Sequence, residues 1–206
     1  MSIGVMIAGG KSKTGAADNP RKEDDFYPTP PEATIALCRA EADRLRDFPA
    51  IWEPCCGDGA MAAVLQDHGH EVYASDIADR GCPSFFRADF LDPATVCPLR
   101  AEAIVTNPPY GDDFPELMVR RALGKMRLPY VALLLKGTYW SAAGRVPLWR
   151  EFRPAREYKL TWRLDFLGQG SPTMECSWFV WDGISTRTET FLLPKPESMD
   201  LGEPRI

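Results

Sequence analysis

Apolar positions along the chain fall into two patterns: short continuous runs, and longer stretches with apolar residues three or four apart. The first reads as buried strand and the second as amphipathic helix. Phe26-Tyr27-Pro28-Thr29-Pro30-Pro31 is held extended by its prolines, and Ala33, Ile35, Ala36, Leu37, Ala40 and Leu45 then predict one helix. Strands are expected at 50–53, 71–76, 84–88, 103–106, 130–135, 157–164 and 176–181. A glycine turn, Cys56-Gly57-Asp58-Gly59, and a helix over 60–68 separate the first two, and a helix over 114–125 precedes the fifth. This alternation predicts an α/β domain with a mostly parallel seven-stranded sheet and helices on both faces. No helical stretch separates the last two strands, so they should form an antiparallel hairpin at one edge. The domain is expected over 25–194, with a mobile arm over 1–24 and a loose Pro- and Glu-rich tail over 195–206.

Composition narrows the class. Hydrophobic residues make up 45% and charged residues 26%, as in an ordinary core-forming domain. No apolar run approaches the roughly 20 residues that span a bilayer. The opening Met1-Ser2-Ile3-Gly4-Val5-Met6-Ile7-Ala8 lacks the basic lead of a secretory leader, so a cytoplasmic protein is expected. Six cysteines without a C-x-x-C pair and only two histidines predict reduced thiols and no metal site. Gly4 and Gly9-Gly10-Lys11-Ser12 approach a phosphate-binding loop, but an extra glycine and the lack of a preceding strand exclude it.

The net charge of −5 argues against a polyanionic partner, yet its distribution reverses that impression. Residues 120–163 hold eleven Lys and Arg against Glu151 and Glu157. A phosphate-binding face on an acidic body gives such a surplus, and so does a solvated basic face. Arg145, Arg150, Arg153 and Arg156, with Trp140, are the candidate nucleic-acid contacts.

Four constellations stand at predicted strand ends, where open α/β sheets bind ligands. Glu53-Pro54-Cys55-Cys56-Gly57-Asp58-Gly59 combines backbone that a ligand can approach closely with acids that repel a pyrophosphate and suit a cation. Asp76 closes the second strand, where an acid accepts bonds from ribose hydroxyls. Asp89-Phe90 pairs an acceptor for an adenine amino group with an aromatic cover. Asn107-Pro108-Pro109-Tyr110 supplies an amide oxygen, a carbonyl stiffened by two prolines, and a stacking ring. Two acceptors converging on one planar NH2 draw its lone pair out of conjugation and aim it at an electrophile, without prior deprotonation.

These residues resemble the class I, Rossmann-like methyltransferases, and within them the DNA adenine-N6 enzymes of small phage and prophage type, over roughly residues 24–182. The resemblance implies S-adenosylmethionine as cofactor and DNA, duplex or single-stranded, as partner, its target base flipped out of the helix. It implies that Tyr27, Pro28, Thr29 and Pro30 contact the cofactor's methionine end, and that Glu53, Pro54, Cys55, Gly57 and Gly59 wrap it. Asp76 with adjoining Ile77 would hold the ribose, and Asp89 with Phe90 the adenine. Asn107, Pro108 and Pro109 would hold the target amino group, Asn107 also touching the cofactor, with Tyr110 stacking on the base and Phe166 or Trp162 closing the pocket. The chain is short for this family and leaves no visible target-recognition segment, which makes room for a helper protein. Glutamine amides in proteins, RNA bases and cytosine N4 present related amino groups, and a non-catalytic module could keep the same fold.

Overall fold

The computed structural model describes residues 27–197 except 112 and 171. Among them, the strands are β1 (Ala50–Glu53), β2 (Glu71–Asp76), β3 (Phe86–Arg87), β4 (Ala103–Thr106), β5 (Tyr130–Lys136), β6 (Arg156–Leu160), β7 (Cys176–Asp182) and β8 (Glu189–Leu193). They form one sheet in the order β3-β2-β1-β4-β5-β7-β6-β8. β1 through β5 run parallel, β7 is antiparallel to both β5 and β6, and β8 returns parallel to β6 at the outer edge.

Alternation along the central strands splits the core into two layers. Ile51, Ala103, Val105, Tyr130, Ala132, Leu134, Trp178 and Val180 face α1 (Pro31–Ala40) and α3 (Ala60–Asp67). Trp52, Ile104, Val131, Leu133, Leu135, Phe179 and Trp181 face α4 (Phe114–Val119) and α5 (Val146–Glu151). β5 is buried on both faces as far as Leu135, so it reads as a continuous apolar run. No helix among the described residues is long and apolar enough to cross a membrane, and no cluster of His, Cys, Asp or Glu there could hold a metal ion.

The structure departs from the expected elements in five places. The sheet has eight strands, not seven: β8 is exposed along most of its length, so burial imposed no alternation on its sequence. The β6–β7 pair is therefore not the edge, because β8 covers β6. β3 shrinks to two residues, since Ser84 has φ 61° and cannot extend the strand. β6 ends at Leu160 rather than 164. The first helix breaks at Glu41, before the short α2 (Ala42–Leu45), and the helix after α4 widens into a π-helical turn over Arg120–Lys125. The proposed arm over 1–24 and the phosphate-loop resemblance within it lie outside the described residues.

The break at Glu41 has an electrostatic reason. Its carboxylate, 3% exposed, turns inward to accept two bonds from Arg156, at 2.6 and 2.8 Å, and the hydroxyls of Tyr130 and Tyr158. Arg156 also reaches Asp182, which Arg44 pairs from the other side. Arg156 was a candidate nucleic-acid contact, but its guanidinium is committed to this cluster at the sheet edge away from the strand carboxyl ends. Removing one partner of a largely buried pair leaves an uncompensated charge. Arg156→Gln is therefore expected to cost about 2 kcal/mol in a denaturant melt, discounted for partial exposure, and to leave salt-dependent oligonucleotide binding unchanged.

Candidate functional site

The carboxyl ends of β1, β2, β4 and β5 open into one cavity of about 1000 Å3. Its walls include Tyr27, Pro28 and Thr29; Glu53, Pro54, Cys55 and Gly57; Asp76 and Ile77; Asp89 and Phe90; and Asn107, Pro108, Pro109 and Tyr110. Two candidate residues stand just outside it. Pro30 caps α1, its carbonyl accepting from Ala33 N–H at 3.1 Å. Gly59 starts α3 at φ 87°, and a Cβ there would lie 2.8 Å from Cys82 Sγ, so this turn requires glycine.

The glycine turn is built before any ligand arrives. Asp76 Oδ2 accepts from Gly57 N–H at 2.9 Å, and its Oδ1 from Ala78 N–H at 3.1 Å. Cys56 N–H donates to Ser75 O at 3.0 Å, tying the end of β1 to β2. Asp76 thus serves the loop first, and a carboxylate's remaining lone pairs are what a ligand can use. Arg80 lies 3.9 Å from the same Oδ1.

Glu53 is the most strained electrostatic element. It is 2% exposed, and Oε2 has no partner. Burial holds its carboxyl well above the usual carboxylate range, offset in part by the Ala62 backbone N–H and reinforced by Asp58 and Asp76. Beside it, burial also pushes the Cys55 thiol up, with Asp76 and Glu53 adding to the effect. This end of the cavity is acidic and incompletely neutralised, a place for a cation.

At the end of β4, the strand beside β1, the cavity wall is organised around Asn107. Its Nδ2 donates to Thr29 Oγ1 at 3.0 Å, which leaves Oδ1 buried without a partner. Tyr110 turns its ring to the cavity and buries its hydroxyl against Cys176, which with burial raises the phenol well above its usual range. Lys136, at the end of β5, holds its ammonium 5.4 Å from the centre of the Tyr110 ring. Phe166 leans edge-on toward Tyr27, ring centres 6.4 Å apart, and both line the same cavity.

The other candidates fall elsewhere. Phe90 is 2% exposed and packs on Trp52 at 5.2 Å, a floor more than a cover. Trp162 packs against the α1-side core, and Trp140 lies among Trp149 and Phe179, donating Nε1–H to Glu157 at 2.9 Å. Arg145 is folded over Tyr139, 4.1 Å from its ring centre. Arg150 and Arg153 are exposed on α5 and the turn that leads into β6. Phe90 still lines the cavity, but Trp162, Trp140, Arg145, Arg150 and Arg153 do not. Reading residues one by one missed Lys136, Arg80 and Met174 as cavity residues. A charge closing the apolar run of β5 was the available signal for Lys136, the same signal that singled out Asp76.

No protein-family model and no curated protein matches the chain. Solved structures do match. A candidate RNA methyltransferase from Pyrococcus horikoshii aligns with TM-score 0.63 at 12% identity, over 84% of this chain and 94% of that one. A candidate class I S-adenosylmethionine-dependent methyltransferase from Listeria monocytogenes aligns with TM-score 0.57 at 13% identity, over 81% of this chain and 65% of that one. The modification subunit of a candidate type I restriction enzyme from Vibrio vulnificus aligns with TM-score 0.56 at 14% identity, over 84% of this chain but 48% of that one. The chain therefore spans less than two thirds of two of these three. At such identities the likeness defines the fold: that of the class I S-adenosylmethionine-dependent methyltransferases.

Proposed function

We infer that the protein transfers a methyl group from S-adenosylmethionine to an exocyclic amino nitrogen of a nucleic-acid base, and that this nitrogen is adenine N6 in DNA. The observation that carries the reading is Asn107 Oδ1, a buried acceptor without a partner in the same cavity as the buried Glu53 carboxyl, whose Oε2 is also unpartnered. Buried polar atoms are paired in nearly all native sites, and three residues of this one cavity wall, Glu53, Asn107 and Tyr110, carry such orphans, which call for ligand groups. The needs differ in sign: Glu53 asks for a cationic donor, and Asn107 for a neutral N–H.

S-adenosylmethionine fits the acidic end. Glu53 would meet its ammonium group, the lone pairs left on Asp76 its ribose, and bound there it supplies an electrophilic methyl group. The chain's own residues prepare the acceptor. Asn107 Oδ1, with the Pro108 carbonyl, accepts N–H bonds from the amino group and localises its lone pair. Tyr110 offers a face on which a base swung out of its stack can rest. Its raised phenol keeps the hydroxyl protonated, so Tyr110 acts as a platform and not as a base. The proton displaced from nitrogen leaves to solvent after the new C–N bond forms.

Lys136 favours a nucleotide over a glutamine side chain. Among the described residues no carboxylate pairs with it, and it lies on the ring where a base would stack. An incoming base displaces the ammonium, and a neighbouring phosphate gives it a partner that a glutamine side chain lacks. The structural relatives described as an RNA methyltransferase and a restriction-system modification subunit support a nucleic-acid acceptor.

The direct test offers labelled cofactor to duplex DNA, single-stranded DNA, RNA and a protein extract in parallel, followed by nucleoside analysis. Label in N6-methyladenine from DNA is expected; label confined to protein or to cytosine overturns the assignment. Lys136→Gln is expected to raise KM for an oligonucleotide several-fold and to lower the salt slope of binding by about one. Equal salt slopes for the two proteins would return Lys136 to a packing role.

A further inference from the structure

The amide of Asn107 has two sides, and only one serves an amino acceptor. Its oxygen accepts an N–H, whereas its nitrogen would meet the amino group donor to donor. A half-turn of the amide therefore converts a productive site into a repelling one. In the protein the nitrogen side is already engaged, by Thr29 Oγ1 at 3.0 Å, and the oxygen side is left vacant and buried. Thr29 lies 78 residues upstream and is only 7% exposed, so water does not readily replace its hydroxyl. Pro28 and Pro30 fix φ on either side of it, and the Pro30 carbonyl is anchored to the first turn of α1. The hydroxyl is thus a stiffly mounted partner, which here accepts from Asn107 Nδ2.

We propose that Thr29 is a positioning residue, whose hydroxyl, by accepting from Nδ2, holds the Asn107 amide with Oδ1 toward the acceptor amino group. This rests on the reading of Asn107 given above. The proline segment then does more than line the cofactor end of the cavity: the same short stretch bounds the cofactor's place and orients the group that holds the acceptor.

The test uses the full chain with Thr29→Val, which keeps the shape and loses the hydroxyl, and Thr29→Ser, which keeps the hydroxyl. Thr29→Ala runs beside them, so that a packing fault in one variant does not decide the result. The first readout is the side-chain amide resonance of Asn107, assigned by its loss in Asn107→Ala. The wild type and Thr29→Ser should show a hydrogen-bonded, slowly exchanging Nδ2 proton, and Thr29→Val a signal close to that of a free amide. The second readout is steady-state transfer from labelled S-adenosylmethionine to an oligonucleotide. One net hydrogen bond predicts a fall of about tenfold in kcat for Thr29→Val, with KM for the cofactor within about twofold and Thr29→Ser near wild type. An Asn107 signal indifferent to Thr29→Val overturns the proposal whatever the activity. A loss confined to cofactor KM also overturns it, and makes Thr29 a ligand contact only. If the resonance responds as expected but the wild type methylates no acceptor, the orientation by Thr29 stands and the methyl-transfer reading fails.

Discussion

Asn107→Ala is expected to lower kcat by on the order of 10^3-fold while the affinity for S-adenosylmethionine stays within about twofold. Losing an acceptor aimed at the reacting group costs on the scale seen when a single pre-aimed hydrogen-bonding group is removed from other active sites. Here the effect falls on kcat because the bonds to Oδ1 are strongest as the nitrogen lone pair localises. The cofactor end is untouched, since Glu53 and Asp76 belong to β1 and β2. Calorimetry of cofactor binding beside single-turnover transfer checks both halves. Transfer at the wild-type rate in Asn107→Ala would remove the catalytic role of the Asn-Pro-Pro-Tyr loop.

Glu53→Gln is expected to act in opposite directions on stability and on binding. The folded carboxyl titrates well above its ordinary value of 4.5, mainly because of burial. A raised folded pKa means that the native state holds the proton more tightly than the unfolded chain. Its stabilising effect is complete below about pH 4.5 and is lost as pH rises through the folded value. At neutral pH the ligand-free protein therefore carries a penalty that glutamine removes. Glu53→Gln should raise Tm by a few degrees at pH 7–8, at about 2–4 °C for each kcal/mol gained, and change it little at pH 4. Cofactor affinity should fall by on the order of 30–100-fold, the loss of a charge-assisted hydrogen bond to an ammonium. In the wild type that affinity should rise with pH up to the folded value, because binding releases the proton. A Tm that falls at pH 7–8 in Glu53→Gln, or unchanged cofactor affinity, contradicts this account.

The frame of the fold was legible because burial writes itself into sequence. β1, β4, β5 and β7 lie in the core and read as apolar runs, whereas β8 left no signal because most of its length is exposed. Motifs at the carboxyl ends of inner strands were legible for the same reason: a polar residue that ends a buried run has few duties other than the site. Fifteen of the seventeen residues expected to bind cofactor or catalyse are in the cavity wall, Pro30 and Gly59 being the exceptions. The basic stretch misled because charge count carries no direction. Arg156 is spent on Glu41, and Arg145 on Tyr139, and neither partnership has a sequence period. The Thr29–Asn107 bond, likewise, joins positions that only the closed sheet brings together.

The bond from Gly57 to Asp76 bears on the speed of recognition as well as its strength. Two loops that are already clasped have little conformational freedom left to surrender when a ligand arrives, so less of the interaction energy is consumed by ordering them. Capture should then behave as a simple bimolecular encounter, with an observed rate linear in ligand concentration and no saturating slow phase. Cutting the clasp with Asp76→Ala would convert a rigid receptor into one that must first assemble, and the kinetics would acquire a plateau.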